Sequence, residues 1–158
     1  MDKFRFKYVH TTIDHINHIA ENMREADRIE VMASHGHTPL EAMMLGYENS
    51  DQIFTALGED DEPVFVLGVV LNSLLSDIGT VWLLGCDDAL KYGRNFIAEA
   101  PEVLSILLER YTLLENYVHV KNRISVNWLK RIGFIMEEPL LFTNSGEYFM
   151  RFYMERRS

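Results

Sequence analysis

Residues 115–134 read ENYVHVKNRISVNWLKRIGF, and this stretch decides the fold. Asn116 to Val120 is a short run rich in β-branched and aromatic residues, which predicts a strand. Asn122 is placed to cap a helix whose Ile124, Trp128 and Ile132 recur every fourth residue, and Gly133 is placed to close it in the left-handed conformation. Phe134 then starts a second strand. A strand, a capped helix and a returning strand within twenty residues imply a helix packed on a sheet.

Outward from this segment the periods alternate. On its amino-terminal side, Pro101 to Leu114 sets Val103, Leu104, Leu107, Leu108, Tyr111 and Leu114 on one helical face. Thr80 to Leu84 (TVWLL) is an apolar strand. Gln52 to Leu57 and Val64 to Leu71 flank the acidic GEDDEP turn and predict a β-hairpin. Further back, Thr38-Pro39-Leu40-Glu41 combines a Thr cap, Pro at the first helical position and a Glu able to reach back to the cap, for a helix ending near Gly46. Arg24 to Ala33 is helical until Ser34-His35-Gly36. Ile13, Ile16, Ile19 and Met23 follow a Thr11 cap with Asp14 at the third helical position, and Phe4 to Val9 predicts a first strand. Past the opening segment, Phe134 to Phe142 and Tyr148 to Met154 are split by TNSGE, a turn sequence. The order is β-α-α-β-β-β-α-β-α-β-β. It predicts an α/β (α+β) fold with a mixed, mostly antiparallel central sheet flanked by helices.

With 158 residues, 47% hydrophobic and 25% charged, the chain is expected to form a single domain over residues 1–158. Fifteen Lys and Arg against 24 Asp and Glu give a formal charge of -9, which argues against a grip on nucleic acid phosphates. Cys86 is the single cysteine, so no internal disulfide forms and a buried, inert thiol is expected. No apolar run has the length of a membrane span, and the amino terminus lacks the apolar core of a secretory signal. A cytoplasmic protein is the expectation. His15 with His18, and His35 with His37, lack a third ligand at fixed spacing, so no metal site is expected.

The opening segment resembles the carboxy-terminal half of the GNAT N-acyltransferase fold, and the element order matches that fold nearly end to end. Together, ADRIE (26–30), PLEA (39–42), WLLG (82–85), LERY (108–111), ENYV (115–118) and WLKRIGF (128–134) are similar to a phage-encoded GNAT-like family. That family includes internal virion protein A of T7-type podoviruses. The resemblance implies acetyl-CoA as cofactor and an amine as acceptor, on a small molecule or on a host or phage protein. It puts Asn122, Ser125 and Trp128 along the cofactor, with Lys91, Arg94 and Asn95 toward its pyrophosphate. Trp82, Asp87 and Asp88 fall on the acceptor side, with Asp87 a catalytic candidate as a proton relay and Trp82 and Asp88 candidates for holding the amine. His119, mid-strand at the expected cofactor fork, is the candidate base, and Tyr117, on the same strand face, the candidate acid.

Two positions depart from the pattern. The pyrophosphate loop of GNAT enzymes carries glycines that let backbone N–H groups reach the phosphates, and Ile97 stands where one is required. Many of these enzymes also carry a Tyr five residues before the Phe of the Gly-Phe pair, to protonate the leaving thiolate. Here that position is Leu129, which has no proton to give. The alternative is therefore a non-catalytic GNAT-like protein, a virion assembly factor or a host-protein binder, in the host cytoplasm or the virion. A homodimer formed through the last hairpin is a further expectation.

Overall fold

The hairpin around the acidic turn builds the middle of the sheet. In the computed structural model, which describes residues 5–157, β2 (Gln52–Leu57) and β3 (Pro63–Leu71) pair antiparallel, and β4 (Ile78–Gly85) pairs with β3 in the same sense. β1 (Lys7–His10) lies on the outer edge of β2. On the other side of β4 come β5 (Leu113–His119), β8 (Glu147–Glu155) and the two-residue β6 (Ile135–Met136), with β7 (Leu140–Phe142) also on β8. Among the described residues the sheet has eight strands, and its one parallel neighbour pair is β4 with β5. The α/β class and the mostly antiparallel mixed sheet stand as expected.

Helices cover both faces. α1 (Ile13–Glu21), α2 (Glu25–His35) and α3 (Pro39–Asn49) follow β1. On this face Ile16, Ile19, Met23 and Met43 pack with Val66 and Leu84 of the sheet. α4 (Gly93–Arg110) and α5 (Arg123–Ile132) cover the opposite face, where Leu104, Leu107, Val126 and Ile132 pack with Val69, Val81 and Leu114. Successive side chains of a strand point to opposite faces, so β4 gives Trp82 and Leu84 to one layer and Val81 and Leu83 to the other.

Local chemistry corrects several expected boundaries. All three helical stretches read before Gln52 form, one more than the order above counts, and the first two are separated at residues 22–24, where Met23 bridges to Cys86. The first cap is Thr12. Its hydroxyl accepts from the His15 N–H while His15 Nδ1 accepts from the Thr12 N–H, and the Thr11 hydroxyl is occupied with Thr55. The capping box at Thr38 and Glu41 forms as expected, at 3.2 and 2.9 Å. α4 starts eight residues before Pro101 and runs through it. Phe96 and Ala100 before the proline, and Leu104 and Leu107 after it, are all anchored in the core, which holds the helix across the hydrogen bond that proline forfeits. α4 ends at Arg110, so Leu114 belongs to β5, and that strand ends at His119 instead of Val120. The expected strand over 134–142 is split around Glu137-Glu138-Pro139 into β6 and β7. Phe4 lies outside the described residues. Cys86 is buried and its thiol is pushed up by that burial, as an inert cysteine should be.

Candidate functional site: a fork in the sheet

β4 and β5 are paired only over Ile78–Thr80 against Leu113–Glu115. Beyond that point they part, and two polar devices define the gap. At its closed end the Asn116 side chain spans both arms: Nδ2 donates to the Val81 carbonyl at 2.7 Å, and Oδ1 accepts from the Tyr117 N–H at 2.7 Å. At its open end α2 reaches both arms. Asp27 accepts from the Gly85 N–H at 3.0 Å, at the end of β4, and the Arg24 N–H donates to the Gly85 carbonyl at 2.9 Å. One helical turn on, Glu30 Oε1 accepts from the His119 N–H at 2.8 Å, at the end of β5.

Between these devices the backbone of β4 faces the gap. Its even-numbered residues are turned to β3, as the Cys86 N–H bond to the Val64 carbonyl shows at the strand's end, so Val81, Leu83 and Gly85 turn their peptide groups toward β5. Asn116 and α2 serve Val81 and Gly85. Leu83 lies between them on the open edge.

A cavity of about 750 Å³ lies at this fork and is lined from both faces of the sheet. Toward α4 and α5 it is lined by Phe96, Val103, Leu83, Ser125, Trp128 and Leu129. Toward α2 and α3 it is lined by Glu30, Val31, Ala42, Leu45, Trp82 and Tyr117, with His35 and His37 also on this wall. Trp82 sits in a slot that two glycines leave open. A Cβ on Gly46 or Gly68 would come within 2.5 or 2.4 Å of its indole, whose Nε1 donates to the Ser50 hydroxyl at 2.8 Å.

The electrostatics of the two walls differ. Asp27 is buried and ion-paired with Arg24 at 3.3 Å; burial raises its carboxyl, opposed by Arg24 and by the Gly85 N–H. Burial pushes the Glu30 carboxyl up to about 7; the His119 N–H works against the shift and the charge of Asp27 adds to it. A carboxylate that exchanges its proton near neutrality, on a cavity wall, is equipped for acid-base work.

The residues singled out from sequence divide into three groups. Trp82, Tyr117, Ser125 and Trp128 line the cavity. Asn122 and His119 are buried beside it. Asn122 caps α5 through the Ser125 N–H at 3.4 Å, and its buried side-chain amide acts on the Glu30 carboxyl, holding it down together with the His119 N–H. The His119 ring stands edge-on to Phe149, its Nδ1 accepts from the Lys121 N–H, and its Nε2 lies 3.5 Å from Glu147, so its imidazole is off the cavity wall. Asp87 and Asp88 are exposed in the short 3-10 turn after β4, off the cavity, with Asp88 4.0 Å from Lys91. Lys91 and Arg94 are exposed beside the first turn of α4, and Asn95 lies in that turn. Because α4 begins at Gly93, Ile97, expected in a pyrophosphate loop, is a helix residue. Leu129 lines the cavity, so no phenol stands at that position.

Sequence reasoning missed Glu30, Asp27 and Asn116. The signal was there for the first two: positions 27, 30, 31 and 34 share one helical face, and a stripe that should be apolar carries two carboxylates and a serine. Asn116 is a polar residue inside an apolar strand, a misfit that a ladder position does not call for. Among the described residues no cluster of His, Cys, Asp or Glu is arranged for a metal ion, and no helix is long and apolar enough to cross a membrane.

No protein-family model and no curated protein matches the sequence. Solved structures do match the fold. The spermidine N-acetyltransferase of Vibrio cholerae, in complex with CoA and spermine, superposes with a TM-score of 0.70 at 13% identity, over 96% of this chain and 96% of that one. A protein described as a candidate acetyltransferase from Acinetobacter baylyi superposes with a TM-score of 0.71 at 15% identity, over 98% and 94%. A dodecameric structure of the Vibrio cholerae enzyme gives 0.66 at 12% identity, over 96% and 94%.

Proposed function

We propose, on the shared GNAT fold, that this chain is an acetyl-CoA-dependent N-acetyltransferase whose acceptor is an amine. The observation that carries the reading is the cavity at the fork, with a carboxylate poised near neutrality on one wall. The fork also fits the cofactor. An extended amide arm can pair with the Leu83 peptide edge, with Ser125 and Trp128 on the cavity wall beyond it. Lys91, Arg94 and the first-turn amides of α4 supply positive potential for a pyrophosphate without the glycine loop. Acetyl-CoA would bring a thioester, whose carbonyl carbon the amine nitrogen attacks as the C–S bond breaks.

Glu30 is the base in this scheme. Its carboxylate takes one proton from the incoming ammonium and passes it to water; the second proton leaves the nitrogen for the thiolate through solvent, since Leu129 cannot give one. Asp27 and Asn116 are positioning residues that set the arms of the fork. His119 acts through its backbone N–H, which orients Glu30, and Tyr117 is the one phenol on the acceptor wall near the fork that could assist the leaving group. The exposed Asp87 and Asp88 are left the role of drawing a cationic acceptor toward the protein.

Leu129 and Ile97 favour a second reading, a GNAT-like protein that keeps the fold without the chemistry. The likeness to the phage-encoded family fits it, with action as an assembly factor or host-protein binder in the bacterial cytoplasm or the virion, as a monomer or a homodimer. Calorimetry with acetyl-CoA separates the two. Saturable binding with thiol release on addition of amines supports the transferase; no heat at millimolar acetyl-CoA leaves the second reading.

A further inference from the structure

The acceptor wall holds little charge for a protein with a formal charge of -9. Its carboxylates are Asp27 and Glu30. Asp27 is committed to Arg24 on one oxygen and to the Gly85 N–H on the other, whereas Glu30 is in no ion pair among the described residues and feels Arg24 only as a weaker, more distant charge. The same wall carries hydrocarbon and indole from Val31, Ala42, Leu45 and Trp82, and its remaining polar groups, Ser34, Asn49 and Tyr117 among them, bring no further carboxylate. Farther out, the rings of His35 and His37 stack at 5.7 Å and 10°. Neither imidazole brings a negative charge for a second ammonium, and His35 Nδ1 is already engaged with the Ser34 hydroxyl at 2.9 Å.

We propose that the acceptor is a monocationic primary amine on an apolar body, an arylalkyl or alkyl amine, with its ammonium on Glu30 and its hydrocarbon against Trp82, Val31 and Leu45. The inference rests on the transferase reading and narrows it. A polyamine would match the charge of the whole protein, yet on this wall its second and third ammonium groups would meet no further carboxylate and would lie against apolar side chains that gain nothing from them. An apolar body gains from each contact that the polyamine would lose. The slot for Trp82 is part of the selectivity, because the indole can lie flat on the sheet only where residues 46 and 68 have no side chain.

The test uses the whole chain at pH 8. Calorimetric titration is run with 2-phenylethylamine, with spermidine and with the uncharged 2-phenylethanol, and thiol release is then followed with acetyl-CoA and each amine. Phenylethylamine is expected to bind at least tenfold tighter than spermidine or the alcohol. Glu30→Gln should abolish the preference for amine over alcohol while leaving alcohol binding in place, a readout that also reports an intact fold. Leu45→Glu, at a side chain already half in solvent, adds a second carboxylate to the wall and should raise the spermidine to phenylethylamine affinity ratio at least tenfold. Spermidine binding as tightly as phenylethylamine, or an unchanged amine preference in Glu30→Gln, overturns the inference. Thiol release with spermidine alone overturns it while keeping the transferase. Glu30-dependent phenylethylamine binding without thiol release supports this recognition and removes the transferase.

Discussion

The two walls of the cavity are built from the same sheet and are chemically unlike. The α4–α5 wall is aromatic and aliphatic, with Phe96 and Trp128 in contact at a centroid distance of 5.2 Å, and its cations stand outside in water. The α2–α3 wall draws carboxylates and a guanidinium into the protein and ties two of them to strand ends. The contrast assigns work: one wall accommodates a long, mostly neutral chain by shape, while the other holds a proton and a charge by geometry. Proton-linked behaviour should therefore reside in the α2–α3 wall alone.

The strongest way to break that contrast is Asp27→Ala. It leaves Arg24 buried without its partner and the Gly85 N–H without an acceptor, so a loss of about 3–5 kcal/mol is expected in urea denaturation. A loss under 1 kcal/mol would mean that the pair is solvated. Trp128→Ala probes the other wall. Removal of an indole packed on Phe96 and Gly93 should cost about 2–3 kcal/mol and, because only apolar contact is lost, the cost should be flat from pH 5 to 9. A clear pH slope in that difference would place titrating groups on the wrong wall.

Glu30→Gln sharpens the contrast through its sign. The Glu30 carboxyl is raised from 4.5 to about 7 on folding, so the native state holds more protons than the unfolded chain between those values. The stability of the wild type should thus fall as pH rises from 4.5 through 7, and Gln, which carries no charge, should escape that fall. Above pH 7.5 the variant is expected to be more stable on the order of 1–2 kcal/mol, with the advantage gone below pH 4.5. Thermal melts across that range check it, and a variant that gains as pH falls would reverse the assignment. The smallest effect is expected from Thr38→Ala. It removes the cap of α3 and should cost about 1 kcal/mol at every pH, as read from the urea midpoint.

Much of the scaffold was legible in the sequence because it follows periodicity and caps. The hairpin across the acidic turn, the Thr38-Pro39-Glu41 helix start and the strand with its Asn122-capped helix all form where local chemistry calls for them. Pro101 misled because tertiary anchoring at Phe96 and Leu104 outweighs the local cost of one proline. The site was less legible for a related reason. His119 draws notice as a titratable side chain, yet what it gives Glu30 is a peptide N–H, which every residue but proline carries. Glu30 and Asp27 are distant in sequence from His119 and Gly85, the residues they serve, and no local pattern reports a hydrogen bond from a helix to a strand end.

The contacts of α2 with both arms have a metrical consequence. Asp27 and Glu30 are three residues apart, about 4.5 Å along the helix axis, and each fastens a different strand. The width of the opening is thereby gauged by the rise of a helix, a length that side-chain repacking does not alter. Inserting one residue between them would swing one carboxylate about 100° around the axis and let that strand go, whereas changes of volume elsewhere in the cavity should leave the aperture as it is.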